Sequence, residues 1–138
     1  MKRYLTLGLF FLFITCKVVP IEKRKPIISI KRTACYGQCP VYSIKIFSNG
    51  NAIYNGQQFV KENGVVNFSV KKREIDSILN KADEIKFFKM KEKYTAPITD
   101  LPSCFVIIKG KKVEDYYNSP NELKELQQMI DDVFFKEN

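Results

Sequence analysis

The stretch from Arg32 to Tyr42 reads RTACYGQCPVY and brings two cysteines, Cys35 and Cys39, within four positions of each other. That spacing admits three chemistries: a disulfide that closes a turn, a redox-active pair, or part of a metal clamp. The other cysteines, Cys16 and Cys104, stand alone. The chain has no histidine. The commonest general base and transition-metal ligand is therefore missing, and so is any nucleophile that histidine would activate. No glycine-rich phosphate loop occurs. Among scattered carboxylates, Asp100 in the run TDLP is the most conspicuous, being placed in a loop before an apolar strand. Asp in such a setting reads more readily as a turn or cap residue than as an acid catalyst.

Compartment decides between the cysteine chemistries, and the N-terminal residues speak to compartment. Met1-Lys2-Arg3 precedes about a dozen mostly apolar residues that end at Cys16, the layout of a secretory signal. The run is shorter than the roughly 20 apolar residues a spanning helix needs. Its end, Phe13-Ile14-Thr15-Cys16, resembles the lipobox of bacterial lipoproteins, with Thr15 and Phe13 where a small and an aliphatic residue are usual. The expectation is a signal over residues 1–15, a lipid on Cys16, and a basic tether over 16–26. Charge fits this division. Of the net +8, the signal supplies +2 and the tether +3, leaving +3 for residues 27–138. The basic surplus thus lies beside the membrane, where it meets anionic lipid. An exported domain with so small a basic excess of its own is not expected to bind nucleic acid.

In an oxidising envelope, disulfides are favoured. Residues 27–32 and 41–47 both read as strands, so Tyr36-Gly37-Gln38 is expected as a tight hairpin loop with Gly37 in a left-handed conformation. Residues flanking such a loop approach to about 5 Å, within disulfide reach. A Cys35–Cys39 disulfide is the reading that follows. Pairing of Cys104 with either cysteine, a redox pair, and zinc held by three thiolates and Asp100 remain alternatives. Cys104 itself, at the start of an apolar strand, reads as a small buried hydrophobe. No cofactor and no metal are expected.

Periodicity organises the rest. Residues 52–59 and 65–70 alternate as strands, and Asn49-Gly50 supplies the turn between 41–47 and 52–59. Ile75, Ile78, Leu79, Ala82, Ile85 and Phe88 then fall at helical spacing. After an irregular link over 89–103, residues 104–108 and 113–117 read as strands. A final helix is expected to start at Ser119-Pro120-Asn121-Glu122, with Ser119 as its cap, and to bury Leu123, Leu126, Ile130, Val133 and Phe134. The order ββββαββα predicts a single small α+β domain over residues 27–138: a mainly antiparallel sheet with two amphipathic helices packed on one face.

The run C-x-G-x-C-P-x-Y over 35–42, the Asn49-Gly50 turn, Tyr54-Asn55-Gly56, Thr99-Asp100-Leu101-Pro102 and the Ser119-Pro120-Asn121-Glu122-Leu123 helix start together resemble domain of unknown function family 6438. That family occurs in bacterial lipoproteins and exported proteins, and the resemblance covers residues 27–135. It implies an exported unit and no particular activity. The functional expectation is a membrane-anchored envelope lipoprotein facing the periplasm, a non-enzymatic binding or structural module whose partner is a protein or another envelope ligand. Arg32, Tyr36, Tyr42 and Asp100 are the residues expected to face that ligand. The alternative is a thiol-redox protein or other envelope enzyme acting through Cys35 and Cys39 or through Asp100.

Overall fold

A computed structural model describes residues 25–136. The expected signal, Cys16, and all but the last two residues of the tether lie outside the described residues. Alternation builds the sheet. In β1 (Ile28–Arg32), β2 (Val41–Ile46) and β3 (Asn51–Gln58), every second side chain points the same way, and Ile28, Ile30, Ile44, Ile46, Ala52 and Tyr54 are all buried. β4 (Gly64–Ser69), β6 (Cys104–Ile108) and β7 (Lys111–Asp115) extend it. A two-residue strand, β5 (Lys93–Tyr94), forms within the link that periodicity left irregular. The order is β4-β3-β2-β1-β6-β7-β5. Every pairing is antiparallel except that of β5 with β7. The first strand in sequence is thus the middle strand of the sheet.

The expected α+β architecture is present, with both helices on one face of the sheet. α1 (Lys72–Glu84) buries Ile75, Ile78 and Ala82, and α2 (Asn121–Phe135) buries Leu123, Leu126, Ile130, Val133 and Phe134. These side chains join the inward residues of the sheet in one core, and each fully buried aliphatic side chain contributes about 1.5–3 kcal/mol. α2 runs across the strands. Gln127 meets Asp115 of β7, Asp131 meets Arg32 of β1, and Phe134 stacks on Tyr54 of β3 with ring centroids 3.9 Å apart. Lys81 and Glu125 join the two helices at 2.9 Å.

Three local expectations are corrected. The apolar stripe of the first helix does not continue to Phe88: α1 stops, Lys86 turns left-handed (φ 56°), and the following 3₁₀ turn, Phe87–Lys89, buries Phe87 instead. Ser119 does not cap α2. Pro120 is the cap residue, extended at φ −57° and ψ 145°, and the buried Ser119 hydroxyl has no hydrogen-bond partner among the described residues. Gly37 is not left-handed either; among the described residues the glycines with positive φ are Gly50, Gly64 and Gly110. The β1–β2 connection runs over eight residues, 33–40, so the Cys35–Cys39 link lies inside a longer loop and does not need a tight turn at Gly37.

Candidate functional site

The site is built by strand register. On the helix-covered face, the successive rows across the sheet are apolar: Ile28 lies opposite Ile46 and Ile108, and Ile30 opposite Ile44 and Val106. The next row changes character. Arg32 is flanked by Tyr42 on β2 and Cys104 on β6, and Cys104 by Asp115 on β7. A bulge closes this end of β2 against β3, where Val41 faces Gln58 and Tyr42 faces Gly56, leaving Gln57 unmatched. α2 covers the polar row with polar groups of its own. Arg32 Nη2 and Nε donate to Asp131 Oδ2 at 2.5 and 3.2 Å, and Nε also donates to the Tyr42 hydroxyl at 2.9 Å. Gln127 Nε2 donates to Asp115 Oδ2 at 2.8 Å.

Burial governs the electrostatics of this row. The side chain of Asp131 is 7% exposed and that of Arg32 29%. Burial lifts the Asp131 carboxyl above the ordinary carboxylate value, although the Arg32 charge and its hydrogen bonds pull the other way. Burial opposes the Arg32 charge, but the Asp131 carboxylate and its hydrogen bonds favour it, and the guanidinium is held charged. Tyr42 is raised by burial and by the Asp131 charge. The Cys104 thiol, free and buried, is pushed up by burial from 9.0 to about 12. The row is therefore a charge-paired structure whose thiol stays protonated near neutral pH, the opposite of what a nucleophilic cysteine needs.

Beyond the row, three connecting segments converge at the same end of the sheet. Thr33 N–H donates to the Ser103 carbonyl at 3.0 Å, and Ser103 N–H to the Thr33 hydroxyl at 2.9 Å. Tyr36 N–H reaches the Asp100 carbonyl at 3.4 Å. The Tyr116 hydroxyl donates to the Ile98 carbonyl at 2.5 Å, tying the third segment in. The Cys35–Cys39 disulfide is formed, with Cα atoms 5.7 Å apart, and it closes the 33–40 loop. The three segments form a rim at this end of the sheet, and two of them, through Leu101, Pro102 and residues 116–118, line a cavity of about 410 Å³ with Arg32, Cys104, Asp115 and Gln127 in its wall and Lys124 beside it. Two non-glycine residues of the rim, Asp100 (φ 73°) and Asn118 (φ 55°), hold left-handed backbone, a strain that persists where surrounding structure enforces it. The rim also exposes apolar side chains: Tyr36 (91% exposed), Ile98, Leu101 and Tyr117.

The expected ligand-facing residues separate into two groups. Tyr36 and Asp100 meet on the solvent side of the rim, and Arg32 lines the cavity. Tyr42 is 6% exposed and does not face solvent, because strand parity places it beside Ile44 and Ile46 on the helix-covered face. With Cys35 and Cys39 joined and Cys104 free beside Arg32, the three thiols do not assemble. No group of three or more possible metal ligands occurs among the described residues. Sequence reading missed Asp131, Gln127, Asp115 and Lys124. A signal was present for two of them, since Gln127 and Asp131 follow Leu123 at successive four-residue steps and so lie on the buried stripe of α2.

A family model described as a domain of unknown function (DUF6438) matches residues 26–134. No curated protein and no solved structure matches the chain.

Proposed function

Since the chain belongs to this family of domains of unknown function, whose description names no reaction, we propose a role from geometry: a non-enzymatic binding module held at a bacterial envelope membrane by lipid on Cys16. Its binding end is the rim formed by the 33–40, 95–103 and 116–120 segments, and its partner is another envelope protein. The observation that carries this reading is the convergence of those segments at the far end of β1. The tether enters the domain at Ile27, just before β1, and Arg32 closes β1 about 16 Å further on at roughly 3.3 Å per residue. The rim therefore points away from the attachment point. It presents exposed aromatic and aliphatic side chains, two of which, Leu101 and Tyr117, line the cavity, a composition typical of protein-binding surfaces. Beneath it Arg32 is paired with Asp131 and Gln127 with Asp115, which suits a scaffold.

Crosslinking of intact cells with a lysine-reactive reagent tests the reading. The wild-type protein should give a discrete higher-mass adduct that a Tyr36→Ala, Leu101→Glu double variant loses while retaining its melting temperature. An adduct that persists unchanged in the double variant would remove the rim as the binding end. The thiol-redox reading rests on one observation, the surface position of the Cys35–Cys39 loop. Reversible reduction of that disulfide in the glutathione range would favour it over a structural bond.

A further inference from the structure

At the other side of the molecule, β4 ends the sheet as a six-residue edge, GVVNFS, with no charged residue, no proline and no register shift against β3. Sheet edges in natural proteins are ordinarily blunted by shortness, charge, proline or a bulge. The opposite edge follows that rule, since β5 has only two residues and one of them is Lys93. β4 does not. Its hydrogen-bonding phase can be read directly. Val70 N–H donates to the Gly50 carbonyl at 2.8 Å, and bonded pairs alternate along an antiparallel ladder. Gly64, Val66 and Phe68 therefore turn their backbone groups to β3. Val65, Asn67 and Ser69 turn theirs outward, and Val65 is also 64% exposed.

We infer that β4 is a strand-addition site, which takes an extended segment of a partner polypeptide against the outward N–H and C=O groups of Val65, Asn67 and Ser69. Main-chain bonds supply the affinity in this mode, and pockets for alternate side chains supply the selectivity. A depression of about 230 Å³ lined by Ala52, Ile53, Asn67, Phe68 and Ser69 opens beside the strand and receives one guest side chain. On the helix side, the partly buried Val66 and Phe68 continue the core to the edge, so the guest carries apolar residues at alternate positions. Lys61 and Arg73, exposed near the two ends of β4 and without an ion pair among the described residues, favour acidic residues at the ends of the guest. A second copy of this chain is a poor occupant. Antiparallel self-pairing of β4 sets a two-fold axis perpendicular to the sheet, which sends the two β1 strands, and their tethers, in opposite directions. That exclusion rests on the membrane-tether reading above; strand addition itself does not.

The test uses the full-length protein in its own cells with the photo-crosslinker p-benzoylphenylalanine at Val65. Mass spectrometry of the irradiated adduct should identify an extended segment of a different polypeptide with alternating apolar residues. Asn67→Pro removes an outward N–H without breaking a bond to β3, so it should lower the adduct yield roughly tenfold and leave the melting temperature within a few degrees. If Asn67→Pro fails to fold, Asn67→Lys keeps the β3 ladder and should lower the yield by charging the edge. An adduct unaffected by the folded edge variant, an adduct to β4 of a second copy, or no adduct at all would overturn the inference. A lysine-crosslinked adduct that persists in the Tyr36→Ala, Leu101→Glu variant, with the Val65 adduct formed as expected, would fault only the rim reading.

Discussion

Arg32 looks from sequence like a free cation at the mouth of a cysteine loop, and in the folded chain it is bound to Asp131, ninety-nine residues away. Nothing local could disclose that partner; only the crossing of α2 over β1 brings the two together. Removing one member of a buried ion pair strands the other. Arg32→Leu is therefore expected to lower stability by about 3–5 kcal/mol in urea denaturation, while the Arg32→Leu, Asp131→Leu double variant recovers much of the loss. Cys104 was readable as buried but not as the neighbour of Arg32 in the polar row. Its raised pKa has a definite sign in pH dependence. The protonated thiol contributes stability that is fully present below the ordinary value near 9 and is lost as pH rises toward about 12. A thiol reagent at pH 8 should modify native Cys104 slowly and the denatured chain rapidly. Comparable rates in the two states would contradict the buried placement. Tyr42, by contrast, was misread against a visible signal, because the alternation that buries Ile44 and Ile46 applies to it equally.

At the scale of elements, period was a good guide and boundaries were not. The four N-terminal strands, both helices and β6 stand where alternation and helical spacing put them, whereas β7 (Lys111–Asp115) starts two residues before the expected 113–117. Tertiary packing settled what lay between. Phe87 displaced Phe88 from the core because a left-handed Lys86 redirected the chain after α1, and β5 formed because β7 offered it a free edge. The loop closed by Cys35–Cys39 joins β1 to β2 and meets the 95–103 segment at Tyr36 and Asp100, so the disulfide braces the rim as well as the loop. A Cys35→Ser, Cys39→Ser variant should lose about 2 kcal/mol of stability, the chain-entropy value for so small a ring, with the sheet intact by circular dichroism. Gly56 illustrates a role that sequence alone conceals. A Cβ there would sit 2.0 Å from the Glu62 carbonyl oxygen and 2.8 Å from the Tyr54 hydroxyl. Gly56→Ala should therefore destabilise by about 1–3 kcal/mol, the usual range for an overpacked core, and calorimetry would show it as a lowered Tm.

For the whole molecule, the α+β class followed from the order of strands and helices, whereas the meeting of the loops at one end depended on register across strands distant in sequence. Among the described residues no helix is long and apolar enough to cross a membrane; the proposed attachment is through Cys16. Cys16→Ala should move the protein from the membrane fraction to the soluble fraction, and continued sedimentation with membranes would contradict the lipid anchor. The central place of β1 has a mechanical consequence. A pull delivered through the N-terminal segment arrives at Ile28, along a strand bonded on both sides. The ladder bonds lie perpendicular to that strand, so the load spreads over both ladders at once as shear and does not open them one bond at a time. A domain dragged by this end resists extraction, whereas one gripped at β4 would peel from its margin. The proposed attachment and the proposed strand addition would thus meet the same sheet along its strong and its weak directions.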